Sequence, residues 1–311
     1  MREEIARRTV DELVTLYELE PEVRDIFVEG RSDRNFLRFH LGAEFESSLC
    51  NVYAVSDRVH IPDGELISAG ILVGERGRVV WLSQQLSTKL PGHSSAALVA
   101  DKDFASLDAD TKEEIHGLLY TDYSSIEAYA LNENTLDKLL RVTFGAPEYI
   151  TASVLVSAIK PALVSLFLIR LCLRESGTGA SLPAKTLNKW DLDDHEQSKI
   201  LEAFRLALHS IPASERNGQT LETLYARYLD YQEGLDSEFR NYINGHDISL
   251  LVVRFLKTEC ASVFNSEARR PLQKPEVLET VLMSCVETSN LAGERMFQML
   301  RRWVQQGTWD S

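Results

Sequence analysis

The chain has 311 residues, 44% hydrophobic and 26% charged, an ordinary globular composition with enough length for one large domain or two small ones. A formal net charge of −14 argues against a general nucleic-acid binder, whose phosphate contacts require a basic surface. The four cysteines, Cys50, Cys172, Cys260 and Cys285, form no C-x-x-C pair, which excludes the usual zinc framework and predicts reduced thiols.

In chain order, M-R-E-E-I-A-R-R lacks the apolar core of a signal peptide, so a cytoplasmic location is expected. Ile5, Val10, Leu13, Val14 and Tyr17 fall near helical spacing and predict an amphipathic helix over 3–17, closed by Pro21. Ile26 to Val28 reads as a buried strand, Glu29-Gly30 as a sharp turn, and 33–40 as a helix starting near Ser32. A second strand is predicted at 51–55, and loops around one short strand over 57–77, where Gly and Pro abound. A helix over 78–88 then leads through Pro91-Gly92 into a strand, Leu98 to Ala100. This β-α-β-α-β alternation predicts a mostly parallel sheet covered by helices. Helices are further predicted at 108–118, 123–131 and 135–144. Beyond Gly145-Ala146-Pro147 strand signals fade, and helical patterns occupy 162–173, 196–208, 221–231, 248–264, 275–287 and 291–304. The apolar stretch 150–173 is broken by Lys160-Pro161, so it reads as a buried helix with Pro161 in its first turn, with no membrane span. Residues 175–184 are the most linker-like. The expected organisation is an α/β domain over 1–147 and a mainly helical domain over 148–311.

The chemistry concentrates in acids that follow apolar runs. Glu29 closes the first predicted strand, at the edge where open α/β sheets bind ligands, and Asp33 lies in the next helical turn. The later stretch A-A-L-V-A-D-K-D-F places Asp101 and Asp103 on one side of an extended chain and Lys102, read as structural, on the other. Carboxylates at this density repel one another unless a cation lies among them, and hard oxygen donors suit Mg2+ or Mn2+.

The Glu-Gly element followed by Asp-x-Asp resembles the Toprim domain of topoisomerases, primases and overcoming-lysogenization-defect nucleases. Ser125-Ile126-Glu127 matches the Ser-x-Glu element of those nucleases, and Asp33 falls where they carry a second acid. With Asn244-Gly245-His246-Asp247, the set is similar to the AriB family, Toprim effectors of PARIS anti-phage systems. The resemblance covers about residues 24–131. It implies a Toprim-like fold in which Glu29, Asp101 and Asp103 hold Mg2+ while Asp33 and Glu127 help a second ion. It further implies Lys160 as the catalytic lysine, transfer RNA as substrate, arrest of host translation, restraint by an AriA-type ATPase, and a homodimer when active.

Each residue also has a plainer reading. Glu29 would pair with an arginine, Asp33 would be a first-turn helix acid, and Glu127 a solvated one. Asp247 would cap a helix, against a phosphate or proton-transfer role for His246. Each basic cluster (Arg31, Arg34 and Arg38; Arg76 and Arg78; Arg269, Arg270 and Lys274; Arg301 and Arg302) reads as a solvated face or as a phosphate contact. The G-T-G stretch lacks the Lys-Ser/Thr of a phosphate-binding loop, so ATP hydrolysis by this chain is not expected. Two other functions stay open: a DNA nuclease of the overcoming-lysogenization-defect kind, and a non-catalytic module that docks to an ATPase.

Overall fold

Four short apolar runs pair into one parallel sheet: β1 (Arg24–Val28), β2 (Cys50–Ala54), β3 (Ala96–Ala100) and β4 (Leu118–Tyr120), in the order β2-β1-β3-β4. A computed structural model of the chain describes residues 7–42, 50–92, 94–107, 114–193 and 195–309. Ile26 is in register with Val52 on one side and Ala97 on the other, and Leu98 with Leu118. Strands β1 and β3 are buried almost throughout, as expected of a parallel sheet covered on both faces.

The long helices are α1 (Val10–Leu19), α2 (Arg31–His40), α3 (Glu75–Lys89), α4 (Ala152–Glu175), α5 (Gln197–His209), α6 (Leu221–Glu233), α7 (Gly245–Glu259), α8 (Pro275–Cys285) and α9 (Arg295–Gln306). The chain is therefore α/β in its sheet-bearing part and helical in the rest, as its pattern predicts. Two compact units are distinguished: 1–102 with 110–122 and 287–311, and 103–109 with 123–286. These limits differ from a single boundary at 147: α9 groups with the sheet, and 103–109 and 123–147 group with the helical unit.

In the first unit, Leu13 and Tyr17 of α1 and Val79, Leu82 and Leu86 of α3 pack with Phe27, Ala96, Leu98 and Ala100. Side chains alternate along a strand, so the buried Ile26 and Val28 point to the opposite face. There α2 packs on β1 and β2, and Phe36 meets Phe297 of α9 edge-on at 6.2 Å. Trp303 of α9, 1% exposed, donates its indole N–H to Ser94 O at 3.0 Å, just ahead of β3.

In the second unit α4 is the central helix, with α5, α6 and α7 packed around it. That explains why it is apolar on nearly every face; 56% of its most apolar window is buried. Thr151 caps its start, accepting from Val154 N at 3.3 Å, so Pro161 lies inside the helix and not in its first turn. Proline removes one intrahelical hydrogen bond, and the helix runs on through it.

Other expectations are corrected. Residues 55–68 hold two short helices, Val55–Arg58 and Asp63–Ser68, instead of loops around a strand. The helix expected over 108–118 lies outside the described residues at 108–113, and its end, from Leu118, is β4. The helix expected over 123–131 is a 3-10 turn, Ile126–Ala130. Residues 3–6 of the first predicted helix also lie outside the described residues. The linker-like stretch 175–184 lies within the second unit.

Candidate functional site

Strand order decides where a site can form in the first unit. The connection after β1 leads to β2 on one side, whereas β3 lies on the other side of β1 and leads on to β4. Between the carboxyl ends of β1 and β3 the chain therefore parts, the place where open parallel sheets form a ligand crevice. Glu29 is the first residue after β1 and Asp101 the first after β3. Glu29 Oε1 accepts the backbone N–H of Asp101 at 2.8 Å, so the two acids meet across neighbouring strands. Both are half-buried.

Acids follow the outer strands as well, and they are differently engaged. Asp57, after β2, accepts from Arg31 Nη2 at 2.8 Å and from Arg34 Nη1 at 3.3 Å. The Arg31 hydrogen bond, with the charge of Arg34 nearby, holds its carboxyl below the ordinary range. Asp122, after β4, accepts the Met296 N–H at 3.1 Å and so caps α9. Asp33 Oδ2 accepts the Gly30 N–H at 2.8 Å, which is the first-turn capping role. Arg76 donates to the Asp101 carbonyl at 2.9 Å, and Arg78 pairs with Glu75 and Asp63. The arginines beside this edge thus bond to protein groups.

The extended geometry expected through Asp101-Lys102-Asp103 ends early. Strand β3 stops at Ala100, and Asp103 opens a 3-10 turn at φ +47, its N–H donating to Ser124 O at 2.7 Å. The alternation argument therefore does not apply to it. Lys102 Nζ donates to Asp122 O at 3.5 Å.

Glu127, Lys160 and His246 belong to the second unit. Lys160 is exposed, with its ammonium 5.3 Å above the Phe239 ring. Helix α7 begins at Gly245 with Asn244 as its cap, accepting the His246 N–H at 3.2 Å. Asp247 is not the cap; it forms a two-point ion pair with Arg170 of α4. This buried pair fixes the first turn of α7 against α4 and leaves His246 exposed.

Glu127, His246 and Glu279 each offer a ligand atom, and these atoms lie within 4.8 Å of one another. Glu127 is 7% exposed on its 3-10 turn, and Glu279 stands on α8. His246 Nδ1 lies 3.1 Å from Glu279 Oε2, and this hydrogen bond, with the charge of Glu127, raises the imidazole pKa to about 9. Sequence reasoning singled out Glu127 and His246 but missed Glu279, one of many acids on amphipathic helices. Its position on the inward flank of 275–285 was the available signal.

The first unit thus brings two acids, Glu29 and Asp101, to one sheet edge, with Asp33 in the first turn of α2; such oxygen donors are of the kind that hard cations take. Against known proteins, the chain matches no family model and no curated protein.

Proposed function

We propose that this chain is a metal-dependent Toprim-type nuclease and the toxic effector of an anti-phage system. The observation that carries the reading is the hydrogen bond between Glu29 and the N–H of Asp101 at the switch point of the sheet. It joins the Glu-Gly and Asp-x-Asp elements in the crevice where a ligand is expected. In this reading Glu29 and Asp101 would hold Mg2+, and Asp33, in the first turn of α2, is the further acid that the resemblance implies. A divalent ion held there would supply Lewis acidity toward a phosphoryl oxygen and would lower the pKa of water. The protein's own part is to fix the acids on rigid strands: the Asp101 N–H orients Glu29, and Arg76 holds the Asp101 backbone.

The resemblance, not the geometry, selects transfer RNA as substrate, an AriA-type ATPase as the restraining partner, a homodimer as the active form and the cytoplasm as its place. Mn2+ would substitute for Mg2+. The test uses purified protein with transfer RNA and duplex DNA, in Mg2+ and in chelator. Discrete Mg2+-dependent cuts in transfer RNA are expected. Glu29→Gln should lower them by about a hundredfold or more, beyond the range usual for outer-shell metal partners. Full activity in Glu29→Gln would overturn the assignment, and cleavage of DNA alone would replace it with the DNA-nuclease reading.

A further inference from the structure

The second unit carries a ligand cluster of its own, which takes in Glu127, the residue that the resemblance gives to a second ion, together with His246 and Glu279. We infer that Glu127, His246 and Glu279 form a separate site for a first-row transition metal of the Zn2+ class. The proposal does not depend on the nuclease reading.

Three observations carry it. The first is spacing: two adjacent ligands of an ion with bonds of about 2.1 Å stand about 3.0 Å apart at octahedral angles and about 3.4 Å apart at tetrahedral ones. His246 Nδ1 and Glu279 Oε2 are 3.1 Å apart, and Glu127 completes a set within 4.8 Å. The three come from separate elements, the 3-10 turn 126–130, the start of α7, and α8, which pack on one another. Their relative positions are therefore held by the fold of the unit.

The second is the way Glu127 is brought in. A β-carbon on Gly245 would collide with Glu127 Oε2 and with Ser125 Oγ. Only glycine at the first position of α7 lets this buried carboxylate come so close to the helix start.

The third is Ser125. Its residue is 5% exposed, and its Oγ has no hydrogen-bond partner although it lies beside the Glu127 carboxylate. Buried hydroxyls are normally satisfied, so an orphan at this point marks a place where another polar group belongs. Metal-bound water would meet that need.

The ligand set selects the metal. One imidazole with two carboxylates is softer than the all-oxygen set at Glu29 and Asp101, and imidazole suits Zn2+ whereas Mg2+ prefers oxygen. Asp247 does not compete, because Arg170 engages both its oxygens. His246 is exposed, which leaves the site open to exchange with solvent.

The competing account is an ion pair of protonated His246 with its two carboxylates. The test is equilibrium binding of Zn2+ alone and Mg2+ alone to the full chain by calorimetry, with the visible spectrum of Co2+ as a second readout. One Zn2+ or Co2+ should bind in preference to Mg2+ and shift the His246 ring resonances. His246→Ala, at an exposed position, and Glu279→Gln should each weaken binding by at least about tenfold. Glu29→Gln should leave Zn2+ affinity and the Co2+ spectrum unchanged while it lowers cleavage, which separates this site from the proposed catalytic one. Unmoved His246 resonances at saturating Zn2+, or equal Zn2+ affinity in wild type and His246→Ala, would overturn the proposal and favour the ion pair.

Discussion

Asp25 shows how one buried acid sets the pH response of the sheet. Its carboxyl is 1% exposed and accepts the Tyr17 hydroxyl at 3.0 Å. Burial pushes its pKa up to about 6, while the Tyr17 hydrogen bond and the charges of Arg58 and Arg8 oppose the rise. An unfolded Asp titrates near 4, so the native state binds this proton more tightly. The contribution is fully present below about pH 4 and is lost as pH rises through 6. Asp25→Asn, which still accepts from Tyr17, should raise unfolding free energy at pH 7.5 by about 1–2 kcal/mol. It should also flatten the slope between pH 4 and 6, as urea titrations at several pH values would show. Asp103 calls for a different pair of variants. Its φ of +47 lies where Asn is tolerated and Ala is strained by about 1 kcal/mol. Asp103→Asn should keep wild-type stability, and Asp103→Ala should lose roughly that amount. If the acid itself is required, both should lose cleavage equally. Glu29 and Asp101 were legible in the sequence because each ends an apolar run. The left-handed turn at Asp103 was not, since nothing in A-D-K-D-F marks where pairing stops.

At the scale of elements, strands with β-branched or apolar runs between turn signals were read within a residue or two. Strand β4 was missed because its Leu118–Tyr120 has three residues, too few to show a period, and acids ahead of it resemble a helix start. The helices over 55–68 were hidden by Pro62 and Gly64, which serve here at helix beginnings. Helix α3 has a demand of its own. A β-carbon on Gly77 would collide with the Leu72 carbonyl oxygen, a backbone atom that cannot step aside. Gly77→Ala should therefore cost about 1–3 kcal/mol, as overpacking does. Because the neighbouring Arg76 holds the Asp101 carbonyl, cleavage should fall as well, even below the melting temperature. Urea unfolding and single-turnover rates on the same sample would separate the two effects. The pairing of Glu127, His246 and Glu279 was only partly legible, because it depends on how α7 and α8 pack.

For the molecule as a whole, charge would limit how a transfer RNA is held under the proposed function. Arg31 and Arg34 share Asp57, and Arg78 is shared by Asp63 and Glu75, so this edge offers little basic surface to phosphates. Each phosphate neutralised contributes about −0.7 to −0.9 to the slope of log affinity against log salt. A slope shallower than about −3 is expected for transfer RNA, measured by titration between low and physiological salt. Trp303 makes a second whole-molecule prediction. Trp303→Ala removes a buried indole and its bond to Ser94, at a cost of about 3–5 kcal/mol. Hydrogen exchange should then lose protection at 24–28 and 96–100 before it does so along α4.

That late helix also sets an order of assembly during translation. The second unit is complete once residue 286 is made, whereas the sheet-bearing unit needs α9, residues 295–306. At about 5–20 residues per second, the stretch from β4 to α9 takes the ribosome roughly 10–35 s to make. Throughout that interval the nascent sheet lacks its covering of Phe297 and Trp303. The Glu29–Asp101 edge is therefore part of a unit that stays unfinished until residue 306 is made, long after its own strands have left the ribosome.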